Sequence, residues 1–276
     1  MNESDRPLGV DEVIPLAGHL AHDDDTFIVG GQATNLWAWF YRDRDRHLKD
    51  AEPFTSQDVD YYGLPQVARR FVARAGGDLF LPQAGDMNSP NSAVVRLELH
   101  GRRITVDFLH TILGVSREEL ETGVSGITVM ADTTAGPTSL ELKVMHPVPC
   151  MISRAANMLH RATRRRDATA FKQLSASLIV ARLYIEDALA DGDIKEAQEC
   201  LSQILVYLGK NPLGRRVHEE LGCDPLEIVE AFHDDVRLDP RYRELTLARG
   251  IERLKAKRQS RAAERQRRSA RTQVER

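Results

Sequence analysis

The sequence predicts an α/β (α+β) chain: a small mixed-sheet domain, a helical domain and a basic C-terminal tail. Three observations carry that expectation. Strand-like apolar segments are concentrated before His146 and stop there. Helical spacing of apolar residues takes over from residue 149. Residues 249–276 hold 11 Lys/Arg against 3 Asp/Glu, a net of +8 in a chain whose total is −3. The expected boundaries are 1–146, 147–238 and 239–276.

The elements follow in order. Residues 1–24 read as a leader with one short helix. FIVGG, residues 27–31, is a buried strand closed by a tight turn, and a helix follows from Gln32 to about Arg44. RDRDRHLKDAEP is expected to be a loop. SQDVDYYG reads as a second strand. Leu64, Val67, Ala68, Phe71, Val72 and Ala75 mark one face of a helix that Gly76 and Gly77 end. AVVRLELHGRRITVDFL reads as two strands joined at His100 and Gly101. Ser116 and Glu119 form a capping-box start for SREELETG, and GITVM and SLELKVM read as further strands. Helices are then expected over 149–166, through Phe171 to Leu189, and through Ile194 to Leu208. Asp224 and Pro225 suit the start of another. No internal repeat is visible.

Composition excludes several classes. With 42% hydrophobic residues a core can form, yet no run approaches the ~18–20 apolar residues of a membrane span. MNESDRPLGVDEV has neither the basic start nor the apolar stretch of a signal peptide. Cys150, Cys200 and Cys223 show no CxxC spacing and read as reduced thiols. A cytoplasmic location with no membrane partner is therefore expected. No Ser/His/Asp set or GxxxxGK[ST] loop supports a hydrolase or a P-loop enzyme.

The chemistry concentrates in three acidic residues. Successive strand side chains alternate, so Asp58 and Asp60 share one face and Val59 takes the other. Two carboxylates so close repel each other unless a cation sits between them. Mg²⁺ suits such ligands and keeps other positions for water and phosphate. In ITVDFLH, Val106 and Phe108 face a core and leave Asp107 opposite. If the two strands are neighbours, three carboxylates converge, as a phosphoryl-transfer centre requires. Gly30 and Gly31 then allow backbone N–H groups at a helix start to approach a triphosphate.

This set resembles the DNA polymerase β-like nucleotidyltransferase superfamily: an apolar strand, Gly30-Gly31, Asp58-Val59-Asp60 and then Asp107 on a later strand, over roughly residues 25–110. QATNLW after the glycines, and HPVPCMISRAANMLHRATRRRD downstream, look like the bacterial branch that includes abortive-infection, type IV toxin-like enzymes. The resemblance implies Mg²⁺-dependent transfer (with Mn²⁺ as the alternative ion) of a nucleoside monophosphate from an NTP such as ATP to a hydroxyl acceptor. Asp58, Asp60 and Asp107 would be catalytic and hold the metal. Gly30, Gly31 and Gln32 would bind nucleotide. Gln32 stands where the family often carries Ser or Thr, and the interval from Gly31 to Asp58 is longer than in the compact motif.

Outside that motif, Arg154 is expected to contact the triphosphate, because NTP charge exceeds what one metal neutralises. Asn157 and Arg161 are further candidates for the cleft, and Arg164–Arg166 read as a solvated helix end. Lys143 reads as a phosphate contact or an edge residue. His110 and His146 read as ordinary, and Trp37 and Trp39 as packing residues. The tail, helical or disordered, suits an anionic partner such as RNA, tRNA included, with a solubilising or disordered end as the plain alternative. A toxin-like enzyme would modify tRNA or a protein and pair with a cognate antitoxin. The alternatives are an antibiotic-type adenylyltransferase and a non-catalytic protein that binds nucleic acid through its tail.

Overall fold

The computed structural model describes residues 6–83, 89–99, 101–133, 136–161, 163 and 166–274. The expected turn residue His100, and Arg164 and Arg165 of the charge run, lie outside them. The chain divides into two compact units, residues 1–181 and 182–276.

The first unit opens with β1 (Leu8–Gly9) and α1 (Val10–Gly18), followed by β2 (Phe27–Ile28), α2 (Gly30–Phe40) and α3 (Arg46–Asp50). It continues with β3 (Thr55–Ser56), β4 (Val59–Tyr62), α4 (Pro65–Ala75), β5 (Asp78–Phe80), β6 (Asn91–Leu99) and β7 (Arg102–Leu109). Then come α5 (Arg117–Thr122), β8 (Val124–Thr133), β9 (Gly136–Met145) and α6 (Pro147–Leu159). Helix α7 (Ala168–Ala190) starts in this unit. Among the described residues the central sheet has seven strands in the order β5-β6-β7-β4-β2-β9-β8. It is mixed: β4 runs parallel to β7 and β9 parallel to β2, and the other pairs are antiparallel.

Alternation fixes which side chains enter the core. Val59 and Tyr61 of β4 are buried, as are Ile104, Val106 and Phe108 of β7. Tyr61 stacks on Phe108 with ring centroids 5.6 Å apart, and Phe71 of α4 meets Phe108 edge-on at 5.9 Å. This aromatic cluster pins β4 to β7 and fixes their register, since a one-residue slip would turn these rings out of the core.

Two of the departures from expectation have a clear local cause. The charged segment after α2 contains α3, because Asp45 accepts a hydrogen bond from the His47 N–H (2.9 Å) and Leu48 is buried beneath it. The helix expected over 149–166 runs instead over Pro147–Leu159. His160 is extended, and the Arg166 Nε–H donates to the Met158 carbonyl at 3.2 Å, satisfying a C-terminal acceptor without another turn.

The second unit contains α8 (Ile194–Lys210), α9 (Val217–Glu220), α10 (Leu226–Phe232), α11 (Pro240–Tyr242), a π-helical turn at Arg243–Ala248 and α12 (Arg249–Val274). Leu201, Ile204 and Leu208 of α8 are buried, as are Leu226 and Val229 of α10 and Ile251 and Leu254 of α12. The tail is thus helical, and its first turns belong to a core. The cysteines are free, with Cys150 and Cys200 buried. No described helix is long and apolar enough to cross a membrane.

Candidate active site

The parallel register of β4 and β7 places Asp60 directly opposite Asp107. Asp58 lies one residue before β4, and its carboxylate still joins the other two: one oxygen from each lies within 4.8 Å of the others. The Asn91 Nδ2 donates to Asp107 Oδ1 at 3.1 Å and orients it. Burial pushes the Asp60 carboxyl up to about 7, the charge of Asp58 adds to this, and Arg154 partly offsets it. Burial and then Asp58 push Asp107 up to about 6, against the lowering effect of the Asn91 hydrogen bond. Three hard oxygen donors that resist joint ionisation fit a divalent cation, whose charge would remove the repulsion.

The glycine turn is built around the same carboxylates. The Val29 N–H donates to the Asp60 carbonyl at 2.8 Å, which carries the β2–β4 pairing up to the start of α2. Gly30 has a φ of 68°, and a Cβ there would lie 1.9 Å from Asp60 Oδ2. The Gly31 N–H donates to the Asp60 carboxylate, so the helix N-terminus already faces negative charge. A Cβ on Gly31 would sit 3.1 Å from Gln173 Nε2, 3.2 Å from Ser56 Oγ and 3.7 Å from Arg154 Nη1. Glycine there keeps one wall of a cavity open.

That cavity holds about 440 Å³, and Gly31, Ser56, Asp58, Asp60, Arg154 and Gln173 are among its walls. Its size is within the range of small-ligand pockets. Arg154 Nη1 donates to Gln173 Oε1 at 3.3 Å, which ties α6 to α7 across the cavity wall. Asn157 also lines the cavity, whereas Arg161 is exposed and is not among the lining residues.

Other candidate residues fall elsewhere. Gln32 is fully buried, is not part of the cavity wall, and has both amide atoms without a partner among the described residues. Lys143 donates to the Asp23 carbonyl at 3.2 Å and pairs with Asp24. His146 caps α6, its Nδ1 accepting from the Val148 N–H at 3.2 Å, and His110 is exposed. The Trp37 Nε1–H donates to the Met145 carbonyl at 2.9 Å, and Arg42 lies over the Trp39 ring. Sequence reasoning missed Ser56, Gln57, Thr169 and Gln173 as lining residues. Single polar residues on a two-residue strand or a helix flank carry no motif. The position of Ser56, two residues before Asp58, was the one available signal.

No family model and no curated protein matches the chain. Among solved structures it is similar to an antigenic nucleotidyltransferase-like protein from Paracoccidioides brasiliensis, with a TM-score of 0.39 and 14% identity. The match covers 63% of this chain and 79% of that one. A likeness of that size leaves the activity to be read from the site itself.

Proposed function

We propose that the chain is a nucleotidyltransferase that moves a nucleoside monophosphate from an NTP to a hydroxyl acceptor. The observation that carries this reading is the in-register pairing of Asp60 with Asp107, with Asp58 beside them, at the mouth of a glycine-opened helix. Asp58, Asp60 and Asp107 would hold Mg²⁺ or Mn²⁺, which neutralises charge developing on the phosphates when bound. Gly31 and the α2 N-terminus seat the triphosphate, and the Arg154 guanidinium binds its oxygens. The acceptor oxygen forms its bond to the α-phosphorus as the bond to the pyrophosphate oxygen breaks. The acceptor proton passes to Asp107, the third carboxylate of the centre. Gln32, away from the cavity wall, has no part in this reading.

The acceptor in this reading is an RNA, tRNA included, or a protein hydroxyl, as in a toxin-like enzyme held in check by an antitoxin. Incubation with Mg²⁺ and each α-labelled NTP, with bacterial RNA and separately with lysate protein, tests it. Label that enters RNA or protein and requires Asp58 supports transfer and names the acceptor class. NTP binding without label in either sends the search to a small molecule. Absence of both NTP binding and label refutes the enzyme.

Arg154→Ala is expected to weaken NTP binding by about tenfold or more, the loss of a charge-assisted contact of about 1.5–3 kcal/mol. Titration of Mg²⁺ with a non-hydrolysable NTP analogue checks this. Unchanged affinity would remove Arg154 from the site.

A further inference from the structure

We propose that the groove between α8 and α12 in the second unit is a docking site for an acidic amphipathic helix of a partner protein. The groove encloses about 310 Å³. Leu205, Val206, Leu245 and Leu254 supply its apolar lining, and Val206 and Leu245 are 49% and 48% exposed. Aliphatic side chains left half in water at a concave surface gain free energy when a partner covers them. The rim is cationic: Lys210, Arg253 and Lys257 line the same groove, and no Asp or Glu does.

Three cations of α12 are already matched within its unit. Lys255 pairs with Glu230 at 2.5 Å, Arg258 pairs with Asp224, and Arg265 with Glu219. Those charges are matched within the unit. Arg253 and Lys257, one turn apart on the groove side, form no ion pair among the described residues, nor does Lys210 on the opposite rim. An occupant that complements this surface carries leucine-like side chains along one stripe and carboxylates beside it, which is the pattern of an acidic helix lying in a groove. A single-stranded RNA fits less well. Its bases stack on aromatic rings, and the groove lining is aliphatic.

The test uses the full chain without NTP or divalent cation, so its outcome is independent of the nucleotidyl-transfer reading. The probe is a fluorescein-labelled synthetic peptide of about five helical turns. It carries leucines at helical spacing on one face and glutamates elsewhere. Anisotropy is expected to show saturable binding that weakens about tenfold with Val206→Asp and with the double variant Arg253→Glu, Lys257→Glu. Lys255→Ala, outside the groove, is expected to leave it unchanged. A scrambled peptide of the same composition is expected to bind about tenfold less tightly. Lys210→Glu serves as a second rim variant should Val206→Asp misfold by circular dichroism. Absence of peptide binding, equal binding of the scrambled peptide, or preferential binding of a single-stranded RNA lost with the same substitutions would overturn the proposal.

Discussion

Asp60→Asn is expected to abolish nucleotidyl transfer and to raise the melting temperature of the metal-free protein at pH 7.5. The two effects share one cause. In the folded chain the Asp60 carboxyl sits at about 7 instead of the ordinary aspartate value of 3.8, through burial and the neighbouring Asp58. Between those two values the folded state holds its proton more tightly than the unfolded chain does. Stability therefore falls as pH rises from about 4 to about 7, and above that window the whole cost is present. At about 1.4 kcal/mol per pKa unit, a carboxyl so displaced costs at most about 4 kcal/mol. Asparagine keeps the shape and an acceptor for the Gly31 N–H but carries no charge. The gain should shrink as pH falls towards 4, where aspartate is protonated in the folded state. Mg²⁺ should stabilise the wild type at pH 7.5 and do little for the variant. Thermal melts at the two pH values, with and without Mg²⁺, check each arm. A variant that melts below the wild type at pH 7.5 would mean that the carboxylate was a structural partner and not a metal ligand awaiting its ion.

Gly30→Ala is expected to destabilise the fold and to lower transfer by about a hundredfold or more, because it displaces a reacting-site carboxylate. The φ of 68° alone costs a non-glycine residue about 1–2 kcal/mol. The added Cβ would also lie 1.9 Å from Asp60 Oδ2 and 2.7 Å from its Cγ, so the carboxylate must leave its place opposite Asp107. Gly31→Ala provides the contrast. Its Cβ would meet the ends of two flexible side chains, Gln173 and Ser56, at 3.1 and 3.2 Å. The fold should survive there while NTP binding weakens, since the methyl group enters the cavity. Chemical denaturation and label transfer on both variants separate the two effects. Full activity in Gly30→Ala would show that the turn does not position Asp60.

Much of this site was legible in the sequence. Alternation placed Asp60 and Asp107 on the faces opposite Val59 and Val106, and the structure has them there. The capping box at Ser116, where the Ser116 N–H donates to Glu119 Oε2 at 2.8 Å, was legible for the same reason: local geometry decides it. The pairing of β4 with β7 was only a condition, because strand order depends on contacts between segments some 45 residues apart. The cavity wall was half legible. Arg154 was legible through the charge of the expected triphosphate, whereas Gln173 became visible only through its contact with Arg154. Asp58 was read as part of a strand and lies just before one, yet its carboxylate reaches the same centre.

The tail shows the limit most clearly. Its composition gave the net charge, but not which cations are already matched. The Arg258–Asp224 pair joins α12 to the segment just before α10, and the buried Ile251 and Leu254 make the first turns of α12 part of the second unit's core. A deletion that tests the tail for RNA binding should therefore begin after Arg258, so that this core stays intact.

Asp58, Asp60 and Asp107 together are expected to hold a divalent cation. Mn²⁺ titration followed by electron paramagnetic resonance tests it most directly, since the signal of the free ion falls as it binds. The wild type should bind Mn²⁺ saturably, and Mg²⁺ should compete it away. Replacing any one of the three aspartates by asparagine should weaken that binding by about tenfold or more. No loss of free-ion signal, or binding that survives all three substitutions, would contradict it.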